Sequence, residues 1–308
     1  MTRLTESARG VYVITVTPFT ENGAIDWPSL ERATDFYLDA GADGLTILGM
    51  MGEAPKLTQR EAAEVARRTI ARARGLPIVV GVSSPGFAAL TELAEEVMGM
   101  GAAGVMVAPP ASLRTDAQVF GYYAQVARML GSDVPIVLQD FPLVTNVQVS
   151  DEVLGRIIDE ISSVVMLKHE DWPGLAKISR LRAAEGEGRR RISVLCGNGG
   201  SFLLEELARG ADGAMTGFAY PEMMVDVCRL MAAGDRDRAH DLFDAYLPLI
   251  RYEMQPGLGL AVRKHALARR GVIASPALRQ PGAGLDAATA AEVDRLMARQ
   301  ERRLAELG

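Results

Sequence analysis

The sequence alternates short apolar runs, rich in β-branched residues, with longer segments of helical periodicity. Each run is apolar at nearly every position, without the in–out alternation of a sheet that has one face in water. Such runs are typical of strands that are buried on both faces of a parallel sheet. Eight occur, at Val11–Thr17, Gly44–Leu48, Ile78–Val82, Gly104–Ala108, Pro135–Leu138, Ser163–Leu167, Ile192–Leu195 and Gly213–Met215.

The segments between the runs carry the signals with which helices begin. Thr58 and Thr115 each stand three residues before a glutamate or a glutamine, which is the spacing of a capping box. Asp26 and Ser150 are suitable N-cap residues ahead of two further helical stretches. Strands that alternate with helices in this way predict right-handed βαβ units.

Eight such units predict an α/β protein of the (β/α)₈ TIM-barrel class. The alternative is an open doubly wound sheet that binds a dinucleotide, but Thr17-Pro18-Phe19-Thr20 follows the first strand in place of a G-x-G-x-x-G motif. After Gly234 the alternation stops, and the segments 235–271 and 285–307 have helical patterns only. We therefore expect a barrel over residues 1–234, which carries the active site, and a C-terminal helical region over residues 235–308.

Charge and composition restrict the partners that we expect. Thirty-three basic against 39 acidic residues give a net charge of −6, so neither a nucleic acid nor an anionic membrane is expected. The sequence shows no apolar run long enough to span a bilayer and no signal-peptide pattern. Two cysteines cannot form a disulfide framework, and three histidines lack metal-binding spacing. These features predict a cytoplasmic protein that holds no metal.

The residue with the clearest chemical meaning is Lys168, which directly follows the sixth apolar run. Active-site residues of a barrel lie at the carboxyl ends of its strands, and lysine is rarely buried without a partner or a function. A salt-bridged lysine at a strand end is the structural alternative. Burial favours the uncharged amine, which attacks a ketone to form an imine. An imine permits cleavage or formation of a carbon–carbon bond, or loss of a β-hydroxyl.

A glycine-flanked loop, Gly49-Met50-Met51-Gly52-Glu53, follows the second run. Glycines at such a turn let backbone N–H groups converge on an anion, so the loop is a candidate site for a substrate carboxylate. A plain βα turn is the alternative. Glu53 is interpreted either as a buried acid or as a charge at the start of a helix.

These features together resemble the dihydrodipicolinate synthase and N-acetylneuraminate lyase family of class I Schiff-base enzymes. The resemblance rests on Thr17-Pro18-Phe19, the G-x-x-G-E loop at 49–53, the fifth strand that leads to Pro142, and Lys168, and it covers nearly the whole chain. It implies a (β/α)₈ barrel, a homo-oligomer that is a tetramer or a dimer, an imine between Lys168 and pyruvate or another 2-keto acid, and no cofactor.

The chain departs from the family pattern at five positions. Met50 and Met51 replace the two hydroxyl residues of the loop, Gln139 replaces the tyrosine that relays protons, and Asp140 stands where an asparagine is common. Val144 stands where dihydrodipicolinate synthases carry an arginine for a second carboxylate. Because an amide does not titrate, another group must move the proton. The candidates are Glu53, Asp140, His169, Tyr220 and a water molecule held by Gln139.

We therefore expect a lyase, an aldolase or a dehydratase, that acts on pyruvate or a 2-keto-3-deoxy acid. Gly213–Phe218 and Val262-Arg263-Lys264 are similar to sugar-acid relatives such as 2-keto-3-deoxy-acid dehydratases. The expected catalytic residues are Lys168 and Gln139, and the expected substrate-binding residues are Gly49, Met50, Met51, Gly52, Asn198 and Thr216. The alternatives are 4-hydroxy-tetrahydrodipicolinate synthase, a non-catalytic keto-acid-binding protein, and a metal-dependent aldolase that uses His169, Glu170 and Asp171.

Overall fold

The computed structural model describes residues 2–308 and contains a closed barrel of parallel strands, each paired with its neighbour in the chain. The first strand pairs with the last through Gly10 and Gly213, which closes the ring. The strands are β1 Gly10–Ile14, β2 Gly44–Ile47, β3 Ile78–Gly81, β4 Gly104–Val107, β5 Ile136–Asp140, β6 Val164–His169, β7 Ser193–Cys196 and β8 Gly213–Ala214. The predicted barrel is confirmed.

Helices follow the strands and cover the outside of the barrel. They are α1 Trp27–Asp39, α2 Gln59–Arg72, α3 Phe87–Gly99, α4 Asp116–Leu130, α5 Pro142–Thr145, α6 Asp151–Glu160, α7 Leu175–Gly186, α8 Leu203–Ala208, α9 Pro221–Ala233, α10 Arg236–Glu253, α11 Gly259–Arg269 and α12 Ala287–Glu306. The predicted capping boxes at Thr58 and Thr115 and the predicted N-caps at Asp26 and Ser150 are confirmed. No helix within residues 2–308 combines the length and the apolar character that a membrane crossing requires.

Two apolar layers explain why the strands are apolar on both faces. One layer fills the barrel interior and the other lies between strands and helices. Met166 packs in the interior layer and Leu167 in the outer one. Because successive side chains of a strand point to opposite faces, Lys168 is on the interior side. The interior layer includes Tyr12, Ile14, Val79, Met106, Val137, Met166, Leu195 and Met215.

Strands β5 and β6 run past the ends that the apolar pattern predicts at Leu138 and Leu167. Their parallel register continues through the polar residues, so that Gln139 pairs with Lys168 and Asp140 with His169. The backbone hydrogen bonds of the ladder continue after the apolar side chains stop. The longer strands place the side chains of Gln139 and Lys168 next to each other at the mouth of the barrel.

The helical pattern of residues 235–271 divides into two helices, α10 and α11, at Gln255-Pro256-Gly257. Proline and glycine interrupt a helix there, because one lacks a backbone donor and the other has a positive φ of 79°. After α11 the chain runs without helix to Asp286 and returns over the barrel mouth. Arg279 in this connection bonds the carbonyl oxygens of Gly23 and Lys56, each at 3.0 Å.

Glu53 fastens this connection to the barrel. Its carboxylate lies 2.6 Å from Lys264 Nζ and 2.7 Å from Lys56 Nζ, and it accepts a bond of 3.1 Å from the backbone N–H of Arg279. The side chain of Lys264 is 0% exposed. Glu53 therefore joins the second βα loop, helix α11 and the C-terminal connection.

We expect Glu53→Gln to lower the free energy of unfolding by about 3–5 kcal/mol, because it leaves the buried Lys264 ammonium without its anion. Urea unfolding measures the loss. Glu64→Gln is the control, since Glu64 pairs with Arg67 and Arg68 on the surface, where such a change costs about 1 kcal/mol or less. Equal losses in the two variants would contradict a buried ion pair at Glu53.

Candidate active site

A cavity of about 450 Å³ opens at the carboxyl ends of the strands. Six of the predicted site residues line it, namely Met50, Met51, Gln139, Lys168, Asn198 and Thr216. The predictions for Gly49 and Gly52 are not supported by this cavity. Gly49 lines an adjacent space of about 520 Å³, and Gly52 is buried with its carbonyl oxygen 2.7 Å from Thr17 Oγ1.

Lys168 is buried, with 5% of its surface exposed, and its amine faces Glu170. The distance between Lys168 Nζ and Glu170 Oε2 is 3.0 Å. Gln139 Nε2 donates a hydrogen bond of 2.7 Å to the same oxygen. The three side chains form one buried polar cluster, in which a carboxylate connects the amine to the residue that stands in the position of the family tyrosine.

Glycine makes room for this carboxylate. A Cβ atom at Gly197 would lie 2.1 Å from Glu170 Cγ, so a larger residue would displace the Glu170 side chain. The backbone carbonyl of Glu170 accepts a bond of 3.1 Å from Asn198 Nδ2, which holds the β6 and β7 loops together. The position of Glu170 therefore depends on both loops.

The sequence predicts a role for Glu170 only as a metal ligand, together with His169 and Asp171. These three side chains point to different partners: Glu170 to Lys168, His169 to the carbonyl of Gly174, and Asp171 to Lys177. Among residues 2–308, no cluster of three His, Cys, Asp or Glu side chains is arranged to hold a metal ion. The sequence signal for the contact between Lys168 and Glu170 is their spacing, since residues two apart fall on the same side of an extended chain.

The other candidates for the proton relay lie away from the cavity. Asp140 bonds Lys177 Nζ at 2.7 Å in the layer between strands and helices, where burial raises its pKa to about 6. The Tyr220 hydroxyl is buried, which raises its pKa to about 12. Glu53 is held by its two lysines. None of these side chains lines the cavity beside Lys168.

His169 also faces the helix layer, where its Nε2 lies 3.1 Å from the carbonyl oxygen of Gly174. Burial, with the nearby charge of Lys177, lowers its pKa to about 4. We expect nitrogen NMR to show a neutral imidazole from pH 8 to pH 5. In the unfolded chain this ring takes up a proton below about pH 6.5. Between that pH and pH 4, His169 thus makes the folded state less stable as the pH falls. A ring that titrates near pH 6.5 would contradict this placement.

The loop after β2 contains backbone donors in two residues that line the cavity. Met50–Gly52 forms a 3₁₀ turn, and the N–H groups of Gly52 and Glu53 bond the carbonyls of Gly49 and Met50, each at 3.0 Å. Among the backbone hydrogen bonds of residues 2–308, none is donated by Met50 or Met51. The first N–H groups of a helical turn have no acceptor within the turn, so they can bind an anion.

The C-terminal helices and the connection after α11 form the rest of the wall. Glu253 at the end of α10 and Arg263 on α11 line the cavity, together with Leu278 and Pro281 of the connection. Sequence reasoning assigned no role in the site to any of these four. Arg263 stands in the Val262-Arg263-Lys264 segment that is similar to sugar-acid relatives, but no local pattern shows that these four residues reach the barrel mouth, because only tertiary packing brings them there.

The fold and the site define a (β/α)₈-barrel enzyme whose cavity holds a buried lysine at the end of the sixth strand. The chain belongs to the dihydrodipicolinate synthetase family, whose model matches residues 7–300. The family resemblance is thereby confirmed, and the chain is a lyase of this family.

Relatives in this family have several activities. An L-2-keto-3-deoxyarabonate dehydratase from Azospirillum brasilense is 33% identical over 291 residues, which cover 92% of each chain. A probable 2-dehydro-3-deoxy-D-pentonate aldolase from Escherichia coli is 26% identical, over 81% of this chain and 87% of its own. A crystal structure of dihydrodipicolinate synthase from Rhodopseudomonas palustris is 53% identical, with a TM-score of 0.96 over 97% of this chain and 100% of that chain.

Proposed function

We propose that the protein is a Schiff-base-forming lyase that acts on a 2-keto-3-deoxy acid through Lys168. The observation that carries the proposal is the buried Lys168 amine, which lines a cavity and has a carboxylate oxygen 3.0 Å away. A lysine needs such a partner to lose its proton before attack and to regain one afterwards. A purely structural ion pair would not require an open cavity beside it.

In the proposed mechanism, Glu170 replaces the tyrosine of the family. It accepts the ammonium proton of Lys168, and the free amine attacks the C2 carbonyl. Glu170 then returns a proton to the carbinolamine hydroxyl, which leaves as water and gives the imine. The backbone N–H groups of Met50 and Met51 bind the C1 carboxylate. Gln139 holds Glu170 in place through the bond of 2.7 Å to Oε2.

The imine can then react in two ways. In a dehydratase, Glu170 takes a proton from C3, and the resulting enamine expels the C4 hydroxyl as water when Glu170 returns the proton. In an aldolase, Glu170 takes the proton of the C4 hydroxyl, the C3–C4 bond breaks to release an aldehyde, and Glu170 returns the proton to C3 of the resulting enamine, which restores the imine. Hydrolysis of the imine releases Lys168 in both cases. One carboxylate beside the amine suffices for either sequence.

Two observations favour a sugar acid over a dicarboxylic substrate. Val144 lines the cavity with 51% of its surface exposed, so an apolar side chain occupies the position of the synthase arginine. The 33% identical relative is named as a dehydratase of a 2-keto-3-deoxy sugar acid. Dihydrodipicolinate synthase, the name of the Rhodopseudomonas structure, is the second candidate, and it requires a cationic contact for a second carboxylate.

Incubation with pyruvate and borohydride, followed by mass spectrometry of peptides, tests the proposal. We expect a covalent adduct on Lys168, because borohydride reduces an imine to a stable amine. A screen of 2-keto-3-deoxy acids then separates release of pyruvate from formation of a dehydrated product. No adduct with pyruvate or any other short 2-keto acid would favour a keto-acid-binding protein without catalysis.

We further propose that the chain works as a cytoplasmic homo-oligomer, with residues 1–234 as the barrel and residues 235–308 as a helical region that completes the cavity. Exposed apolar side chains support the association, since such residues are typical of contacts between subunits. Sedimentation of the full chain measures the number of subunits. The side chains are Leu143, Trp172 and Phe202.

A further inference from the structure

A buried ion pair between Glu253 and Arg263 forms part of one wall of the cavity. Glu253 and Arg263 have 5% and 4% of their surfaces exposed, and both line the cavity. Arg263 Nη2 and Nε lie 2.7 and 3.1 Å from the same oxygen of the carboxylate, Glu253 Oε2. The pair is therefore held through one oxygen only, and it carries no net charge.

Each member of the pair keeps a polar group without a strong partner. Arg263 Nη1 contacts the thioether sulfur of Met51, which is a weak acceptor. Glu253 Oε1 is buried, and no side chain among residues 2–308 donates a hydrogen bond to it. Buried polar groups of this kind cost free energy unless a partner reaches them. Both side chains line the cavity, so a ligand bound there would lie next to the pair.

The barrel makes space for this guanidinium at Gly217, which also lines the cavity. A Cβ atom at that position would lie 2.6 Å from Arg263 Nη1 and 2.8 Å from the carbonyl oxygen of Ile14. Burial raises the pKa of Glu253, and the Arg263 guanidinium and the Ala219 N–H oppose that rise. A further donor to the carboxylate would stabilise its charge.

The chemistry of the pair selects its ligand. A hydroxyl accepts a hydrogen bond from a guanidinium N–H and donates one to a carboxylate, so a single group satisfies both. A second carboxylate can only accept, and it would be repelled by Glu253. We propose that Glu253 and Arg263 form the subsite for a hydroxyl beyond C3 of the substrate, and thus select hydroxylated 2-keto acids. The inference rests on the proposed function, in which the loop at Met50 and Met51 binds C1.

The test compares a hydroxylated substrate with pyruvate, which has no hydroxyl. In the double variant Arg263→Met, Glu253→Gln, both charges are removed together, so no buried charge is left unpaired. The substrate is the 2-keto-3-deoxy sugar acid that the wild type turns over best. We expect the kcat/KM of the double variant for this substrate to be roughly 10- to 100-fold lower than that of the wild type. The pyruvate concentration that gives half-maximal borohydride trapping on Lys168 changes by less than about threefold.

Two further variants keep the test decisive. Arg270→Met, Glu222→Gln removes a pair of 2.7 Å between the end of α11 and α9, outside the cavity, and serves as the matched control. If the cavity double variant fails to trap pyruvate, Arg263→Lys preserves the charge but loses the planar donor, and it should weaken only the hydroxylated substrate.

The results distinguish this inference from the proposed function. Equal losses for pyruvate and for the sugar acid would overturn the hydroxyl subsite, because they would indicate a role in C1 binding or in folding. An unchanged sugar-acid kcat/KM would overturn it as well, and so would a wild type that accepts only keto acids without hydroxyls. A wild type that forms no adduct on Lys168 would instead refute the Schiff-base lyase.

Discussion

Replacing Lys168 with methionine is expected to abolish turnover, with a fall in kcat on the order of 10⁴ or more. Methionine has nearly the same length and volume but no amine, so the cavity keeps its shape while imine formation becomes impossible. The variant should show no adduct with pyruvate and borohydride. Steady-state kinetics and peptide mass spectrometry measure the two effects on the same preparation.

Lys56→Met is the control for the loss at Lys168. Lys56 also lines the cavity, but its amine is held by Glu53 at 2.7 Å and by the carbonyl oxygen of Arg279 at 2.8 Å. Its removal should leave the adduct on Lys168 intact. An adduct that persists in Lys168→Met, or disappears only in Lys56→Met, would assign the chemistry to a different amine.

Glu170→Gln is expected to lower kcat by about 10²–10⁴, the range typical of a lost general acid–base. The amide keeps the size of the side chain but cannot accept a proton from Lys168 or return it to the substrate. Pyruvate trapping should become slower without disappearing, because Lys168 is still present. KM should change much less than kcat, since Glu170 acts on the proton transfers rather than on binding. Glu170→Asp should restore part of kcat.

Asp171→Asn provides the comparison for Glu170. Asp171 is the next residue and also carries a carboxylate, but it pairs with Lys177 at 2.6 Å, outside the cavity. Its replacement should change kcat by less than about threefold. If Glu170→Gln retained nearly full kcat, the proton would have to travel through another group, and the cluster of Lys168, Glu170 and Gln139 would be structural.

Local patterns were sufficient to predict the barrel and the position of Lys168 at the end of its sixth strand. The apolar runs identify strands that are buried on both faces, and a lysine directly after such a run stands out without reference to any other part of the chain. The ends of β5 and β6 were less well predicted. Gln139 and His169 are polar, yet they continue their strands because backbone pairing does not depend on side-chain polarity.

The relay candidates show what the sequence decides and what it leaves to packing. Asp140, His169 and Glu53 can titrate, and each lies near a strand end. Alternation along the strands predicts that the first two face the helix layer, which the structure confirms, whereas only packing decides that Glu53 pairs with Lys264. The contact between Glu170 and Lys168 is likewise visible only in the structure.

By itself, the amino-acid sequence determined the barrel architecture, the family and the place of Lys168 at the end of a buried strand, since all three follow from local patterns along the chain. The tertiary structure alone decided which carboxylate faces that amine and which side chains complete the cavity. Glu253 and Arg263 belong to helices beyond the barrel, and Glu170 fits only because Gly197 on the next loop has no side chain. Such contacts join segments that are distant in sequence, and they exist only after the ring of strands has closed and the last helices have packed against its mouth.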